Sequence, residues 1–142
     1  VEVRGQVARP GVRPNLAGLS VRAALARSGP RVTLRGENLA AVLEEGARID
    51  LLRDGRVTRT RMPGRRLLVL GLRIPLDSAT AADLEALPGV GPVTAARIVS
   101  FRDARGPIRR LEELDAVPGI GPRTLARIRP YLRIGGGGPE MP

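Results

Sequence analysis

Two five-residue runs, Pro88-Gly89-Val90-Gly91-Pro92 and Pro118-Gly119-Ile120-Gly121-Pro122, recur at an offset of 30 residues. Glycine lets the backbone take positive φ without a Cβ clash, and proline suits the first position of a helix, where the N–H it lacks has no partner anyway. Each run therefore predicts a sharp corner opening into a helix. The N–H groups of Gly91, Val93 and Thr94 would then stand bare at the positive end of aligned peptide dipoles. The chemistry this offers is anion binding, and a phosphate oxygen is the natural occupant. The second copy adds Arg123 and, one helical turn later on the same face, Arg127; the first has Arg97, but Val93 where Arg123 aligns. The second corner is expected to make the stronger electrostatic contact. The candidate contacts are the amides of Gly91, Val93 and Thr94 with Arg97 in one copy, and Arg123 and Arg127 in the other.

The elements that must hold these corners repeat as well. Residues 84–98 (LEALPGVGPVTAARI) realign with residues 114–128 (LDAVPGIGPRTLARI) at ten of fifteen positions, so one structural unit is used twice. In the first copy Thr80 is a candidate N-cap, with Asp83 placed to reach back as in a capping box, for a short helix running to Leu87. Pro88 and Gly89 stop it. A second helix follows from Pro92, with Ala95, Ile98 and Val99 on its apolar side, and Gly106-Pro107 ends it. The same order repeats through Leu111 to Val117 and then Pro122 to about Arg129, giving four short helices.

Upstream the pattern changes. Val1, Val3 and Gly5 to Val7 read as a strand, Pro10-Gly11 as a turn, and Ser20 as the cap of a helix to Arg27 with Gly29 beyond it. Asn38 is expected to cap a second helix through Leu43, with Gly46 as its left-handed terminator. A strand around Ile49 to Leu52 then leads through a two-residue Asp54-Gly55 turn into Val57 to Thr60. Pro63-Gly64 reads as another turn and Leu67 to Leu70 as a last strand. The fold class expected is α+β: a small unit over residues 1–72, an all-helical unit over 73–134 and a flexible glycine-rich tail over 135–142. The boundary falls within Gly71 to Asp77, with Pro75 in the hinge.

Composition narrows the function. All 24 basic residues are Arg against 14 acids, a formal charge of +10, and there is no Lys, His or Cys. A Schiff-base lysine, a Ser/His triad and a Cys/His metal site are all excluded. The aromatic content is 1 %, Phe101 and Tyr131, too little for a binder that stacks successive bases on exposed rings. No apolar run approaches the roughly 20 residues of a membrane-spanning helix. Catalytic residues, cofactors and metals are expected to be absent.

The stretch from Ile74 to Leu132 resembles the tandem helix-hairpin-helix domain of ComEA-type competence DNA receptors. The residues that carry the likeness are Leu76-Asp77-Ser78-Ala79-Thr80, both Pro-Gly-x-Gly-Pro corners, and Phe101-Arg102 followed by Gly106-Pro107-Ile108. The opening Val1-Glu2-Val3-Arg4-Gly5-Gln6-Val7-Ala8-Arg9-Pro10-Gly11 resembles the start of an SLBB domain, a β-grasp-like unit that precedes the hairpins in such receptors. The resemblance implies a non-catalytic receptor holding double-stranded DNA outside the cytoplasmic membrane, anchored by a segment upstream of Val1, with DNA contacts from the amides of Gly89, Gly91, Gly119 and Gly121 and from Thr94, Arg97, Arg123, Thr124 and Arg127 on the adjoining helices. It would hand the DNA to an uptake channel or pilus machinery, and the N-terminal unit is a candidate for homo-oligomer formation. Departures from the family pattern are Asp77 and Pro75, where Asn is usual, and Arg110, where a small capping residue is expected, which should weaken the third helix. Val93 lacks the basic group often found at its position.

Two rival readings differ in class. One is an interaction module whose N-terminal unit self-associates or binds an acidic polysaccharide while the hairpins make protein contacts. The other is a nuclease or repair enzyme, but Asp77, Asp83, Asp103 and Asp115 are dispersed at helix ends, where capping accounts for them. Divided at Leu72, the charge is 14 Arg against 6 acids (+8) upstream and 10 against 8 (+2) downstream. Arg59, Arg61, Arg65 and Arg66 read as a solvated face, with a secondary path for DNA, an anionic polysaccharide or a membrane surface as the alternative. If placed amides and a few Arg govern binding, the less charged half is the binder.

Overall fold

A computed structural model of the chain describes residues 1–134; the expected tail, residues 135–142, lies outside the described residues. The chain forms two compact units, one spanning Val1–Met62 and the other beginning at Pro63. Among the described residues no helix is long and apolar enough to cross a membrane.

In the N-terminal unit, strand β1 (Glu2–Gly5) pairs antiparallel with the short β2 (Gly11–Val12) and parallel with β3 (Ala47–Leu51), and β3 pairs antiparallel with β4 (Val57–Arg61). The order β2-β1-β3-β4 places the two parallel strands at the centre. Period-two alternation sorts the faces: Val3, Ile49, Leu51 and Val57 turn inward, while Glu2–Arg48 and Arg4–Asp50 pair across neighbouring strands on the other side. Helix α1 (Val21–Ser28) adds Val21, Ala24 and Leu25 to the same buried core. Ser20 caps it as expected, its hydroxyl accepting from the Ala23 N–H at 3.2 Å, and Gly29 ends it in the left-handed region at φ 71°. A mixed sheet with a helix in this unit, followed by a helical unit, agrees with the α+β expectation.

Two local expectations fail here. Asn38 opens only a 3-10 turn, Asn38–Ala40, because the chain beyond it bonds as a strand does: Val21 N–H donates to Ala41 C=O and Leu43 N–H to Leu19 C=O. The Asn38 amide donates to Val57 C=O instead of capping. The hairpin loop holds Arg53, Asp54 and Gly55 rather than two residues, since Leu52 N–H still pairs with Arg56 C=O while Gly55 N–H closes the turn on Leu52 C=O. Gly55 sits at φ 87°, the left-handed position that such three-residue loops require.

The second unit starts earlier than the sequence suggests. Leu67 to Leu70 is not a strand; it belongs to helix α2 (Gly64–Val69). A short apolar run does not distinguish a strand from a buried helix turn, and here the flanks decide. Gly71, at φ 72°, is a helix terminator: its N–H donates to Leu68 C=O and that of Leu72 to Leu67 C=O, the two bonds of a Schellman motif. Pro75 is not a hinge. It is buried in β5 (Ile74–Pro75), which pairs parallel with β6 (Leu132–Arg133), so the first and last segments of the repeat close on each other.

Within that closure lie α3 (Ala81–Glu85), α4 (Pro92–Arg105), a 3-10 helix over Leu111–Ala116 and α5 (Pro122–Ile128). Leu84, Leu87, Val90, Ala95 and Ile98 of the first copy are buried, as are Leu114, Val117, Ile120, Leu125 and Ile128 of the second. The third helix is 3-10 rather than α, and Arg110 supplies no side-chain cap. Glu113 reaches back past the helix start, accepting from the Arg109 N–H at 3.0 Å.

Asp83 is the joint of this unit. Its Oδ2 accepts from Thr80 N–H and Thr80 Oγ1 accepts from Asp83 N–H, completing the expected capping box, while its buried Oδ1 accepts from Gly64 N–H at 2.7 Å. One carboxylate thus caps α3 and fastens the start of α2. Asp83→Ala is expected to destabilise the protein by about 2–4 kcal/mol in urea unfolding, because a cap is lost and a buried N–H is orphaned. A loss below about 1 kcal/mol would show that α2 is not held this way.

Candidate nucleic-acid interface

Each corner is built around its central aliphatic residue. Val90 and Ile120 are buried while the glycines before them stay exposed, so the side chain plugs the core and the backbone bends over it. Gly89 and Gly119 take φ 79° and 96°, which a side chain rarely tolerates. The second glycine of each pair differs from expectation. Gly91 and Gly121 are extended, at φ −93° and −101°, a conformation open to any residue. A Cβ added at either would meet nothing within 4 Å. Neither backbone shape nor internal packing demands glycine there, and what its absence of side chain leaves clear is the outward approach to a helix N-terminus.

The bare amides form as expected. The first helical bonds are Ala95 N–H to Gly91 C=O and Leu125 N–H to Gly121 C=O, each 2.9 Å. Among the described residues no acceptor meets the N–H of Gly91, Val93 or Thr94, nor that of Gly121, Arg123 or Thr124. These groups converge at each helix start, beside a proline that has no N–H.

The arginines are arranged in a way the linear repeat conceals. Arg97 lies at the second corner, not its own: its guanidinium donates to Pro118 C=O at 3.3 Å and sits 3.5 Å from where a Cβ of Gly119 would be. Arg127 reciprocates, with a guanidinium nitrogen 3.4 Å from the corresponding point on Gly89. Thr94 Oγ1 also stands 3.3 Å from the Gly119 position. The two hairpins are therefore braced against each other, and Arg97 is partly committed to that brace while Arg127 meets no acceptor among the described residues. Arg123 and Thr124 stand at the start of α5, Arg123 exposed and without a partner among the described residues. Val93 is 63 % exposed, so an apolar side chain meets solvent where the second corner presents a guanidinium.

Much of the remaining charge is committed to partners within the protein. Arg102 donates to the carbonyls of Leu76 and Ala79, Arg105 pairs with Glu113 and lies over the Phe101 ring, and Arg129 pairs with Glu112 at 2.9 Å. The Glu112 carboxyl is held below its usual range by its own backbone N–H and then by Arg129. Asp77 accepts from the Ile108 N–H and Asp103 pairs with Arg102. Among the described residues no three acidic side chains are grouped to hold a metal ion.

Residues 72–133 match the helix-hairpin-helix motif family. They form a helix-hairpin-helix domain. The match supports nucleic-acid binding by this part of the chain. No curated protein matches the chain as a relative.

Arg65 stands on α2, in the same compact unit as the hairpins, a placement the expected strand at Leu67 to Leu70 conceals in the sequence.

The two kinds of corner glycine separate experimentally. Gly119→Ala should lower stability by about 1–2 kcal/mol, from the left-handed φ and the tight contact with Thr94. Gly121→Ala should cost less than about 1 kcal/mol, since only the modest N-cap preference for glycine is lost. Thermal unfolding of the two variants side by side checks this, and equal losses would contradict the assignment of Gly121 to external access.

Proposed function

We propose that this protein is a non-catalytic receptor that grips double-stranded DNA without regard to sequence, one backbone strand at each hairpin. The observation that carries the reading is the pair of open corners. Each offers three N–H groups that meet no acceptor among the described residues, at a glycine where an added Cβ would touch none of their atoms. Backbone donors and arginines grasp phosphate oxygens, which are the same at every base pair, so they fix position and carry no sequence code. Two corners held rigidly in one unit act together, the second contact being intramolecular once the first has formed.

The order of the two units, a small grasp-like α+β unit followed by tandem hairpins, favours a competence receptor with an SLBB domain at its N-terminus. In that role it sits outside the cytoplasmic membrane and passes DNA to an uptake channel or pilus machinery, with the N-terminal unit as the seat of any self-association.

The test is titration of the full chain with duplexes of unrelated sequence, with single-stranded DNA and with an anionic polysaccharide. Duplexes should bind alike, with dissociation constants of roughly 10⁻⁴ to 10⁻⁶ M that weaken steeply with salt. The double variant Gly91→Val/Gly121→Val should lose at least about tenfold in duplex affinity while keeping its far-ultraviolet circular dichroism, because a branched side chain blocks phosphate approach. Undiminished duplex binding by that variant would move the function away from the corners. Preference for the polysaccharide would favour an interaction module.

A further inference from the structure

We infer that α2 extends the nucleic-acid contact surface, with Arg65 supplying the first hairpin with the cation that Val93 withholds; the inference rests on the duplex-binding reading above. Arg65 and Gly64 line an open groove together with Glu85 and Ala86 of the α3 end and Val90 and Pro92 of the first corner. Arg65 is exposed and, among the described residues, meets no acceptor, unlike Arg97, Arg102, Arg105 and Arg129 of the same unit. Its guanidinium is therefore available to a phosphate.

The position is fixed rather than incidental. Gly64 N–H is bonded to the buried Asp83 carboxylate, and a Cβ on Gly64 would fall 2.9 Å from both Cα and Cβ of Asp83, so α2 and α3 meet at backbone contact. The Schellman bonds at Gly71 close the other end of α2. A long, mobile side chain thus springs from a base held against the element that leads into the first corner. Pro92, on the groove wall, is the first residue of α4, and its neighbour Val93 is where the second copy carries Arg123. Arg65 would then stand beside the start of the first corner's helix as Arg123 stands at that of the second, in addition to Arg127, whose guanidinium lies beside Gly89. Glu85 faces the same groove without a partner among the described residues and opposes an incoming phosphate. Its charge tunes the first site downward and gives the inference a second handle.

The experiment measures anisotropy of a fluorescein-labelled DNA duplex against the full chain over a range of salt concentrations. Arg65→Ala should weaken binding about five- to tenfold at 0.1 M salt and reduce the slope of log affinity against log salt by about one, as for one lost phosphate contact. Arg65→Lys should retain most of the affinity, and Glu85→Gln should tighten binding by about two- to threefold with a matching change at low salt. Unchanged thermal unfolding of the Arg65 variants identifies the loss as one of contact. If Arg65→Ala and Glu85→Gln bind as the parent does while Arg123→Ala weakens, the duplex does not reach α2 and this inference is wrong, with the hairpin reading intact. If Arg123→Ala and the corner-glycine variant also bind as the parent does, the hairpin reading itself fails and this inference with it.

Discussion

A peptide N–H that has lost its water and found no carbonyl is costly, and the helical unit keeps two sets of them in the open where solvent or a ligand can meet them. Everything around the corners serves that condition. Val90 and Ile120 bury their side chains and pull the backbone outward; the preceding glycines accept the left-handed turn this imposes; the following prolines begin the helix without adding a donor of their own. The second glycine leaves the approach clear. A corner of this construction presents an anion site with no side chain specifying it, which is why phosphate rather than base is the natural target.

Doubling the corner changes its physics. Arg97 and Arg127 each cross to the other hairpin, and β5 pairs with β6 to bring the two ends of the repeat together. The spacing between the corners is therefore a property of the folded unit, set by buried aliphatic packing and these crossing side chains. A rigid separation lets two weak contacts add with little further loss of freedom. It also ties stability to binding, since Arg97, a candidate phosphate contact, is bonded to Pro118 C=O of the opposite corner.

Net charge is a poor guide to where an anion would bind here. With the division between units at Met62 and Pro63, Arg65 and Arg66 pass to the helical unit, leaving 12 Arg against 6 acids on one side and 12 against 8 on the other. The imbalance read from sequence largely disappears. What matters more is commitment: several arginines of the helical unit are bound to carbonyls or carboxylates of the protein, whereas Arg65, Arg123 and Arg127 are not among them. Surface ion pairs contribute little stability, but they do withdraw cations from a ligand.

Sequence alone determined the features written in local chemistry. The duplicated glycine corners, the Thr80–Asp83 capping box, Ser20 and Gly29 at the ends of α1, and the weak start of the third helix at Arg110 each depend on residues a few positions apart, whose conformational preferences act before the chain has folded. Tertiary structure decided whatever depends on partners distant in the chain. Leu67 to Leu70 became helix because Asp83 captures Gly64 from nineteen residues away; Asn38 lost its helix because residues 41–43 found acceptors and donors at 18–21; Pro75 left the hinge for a strand whose partner is Leu132–Arg133. The exchange of Arg97 and Arg127 between corners belongs to the same class. A repeat in the sequence shows that two units are alike, and only their packing shows which side chain serves which.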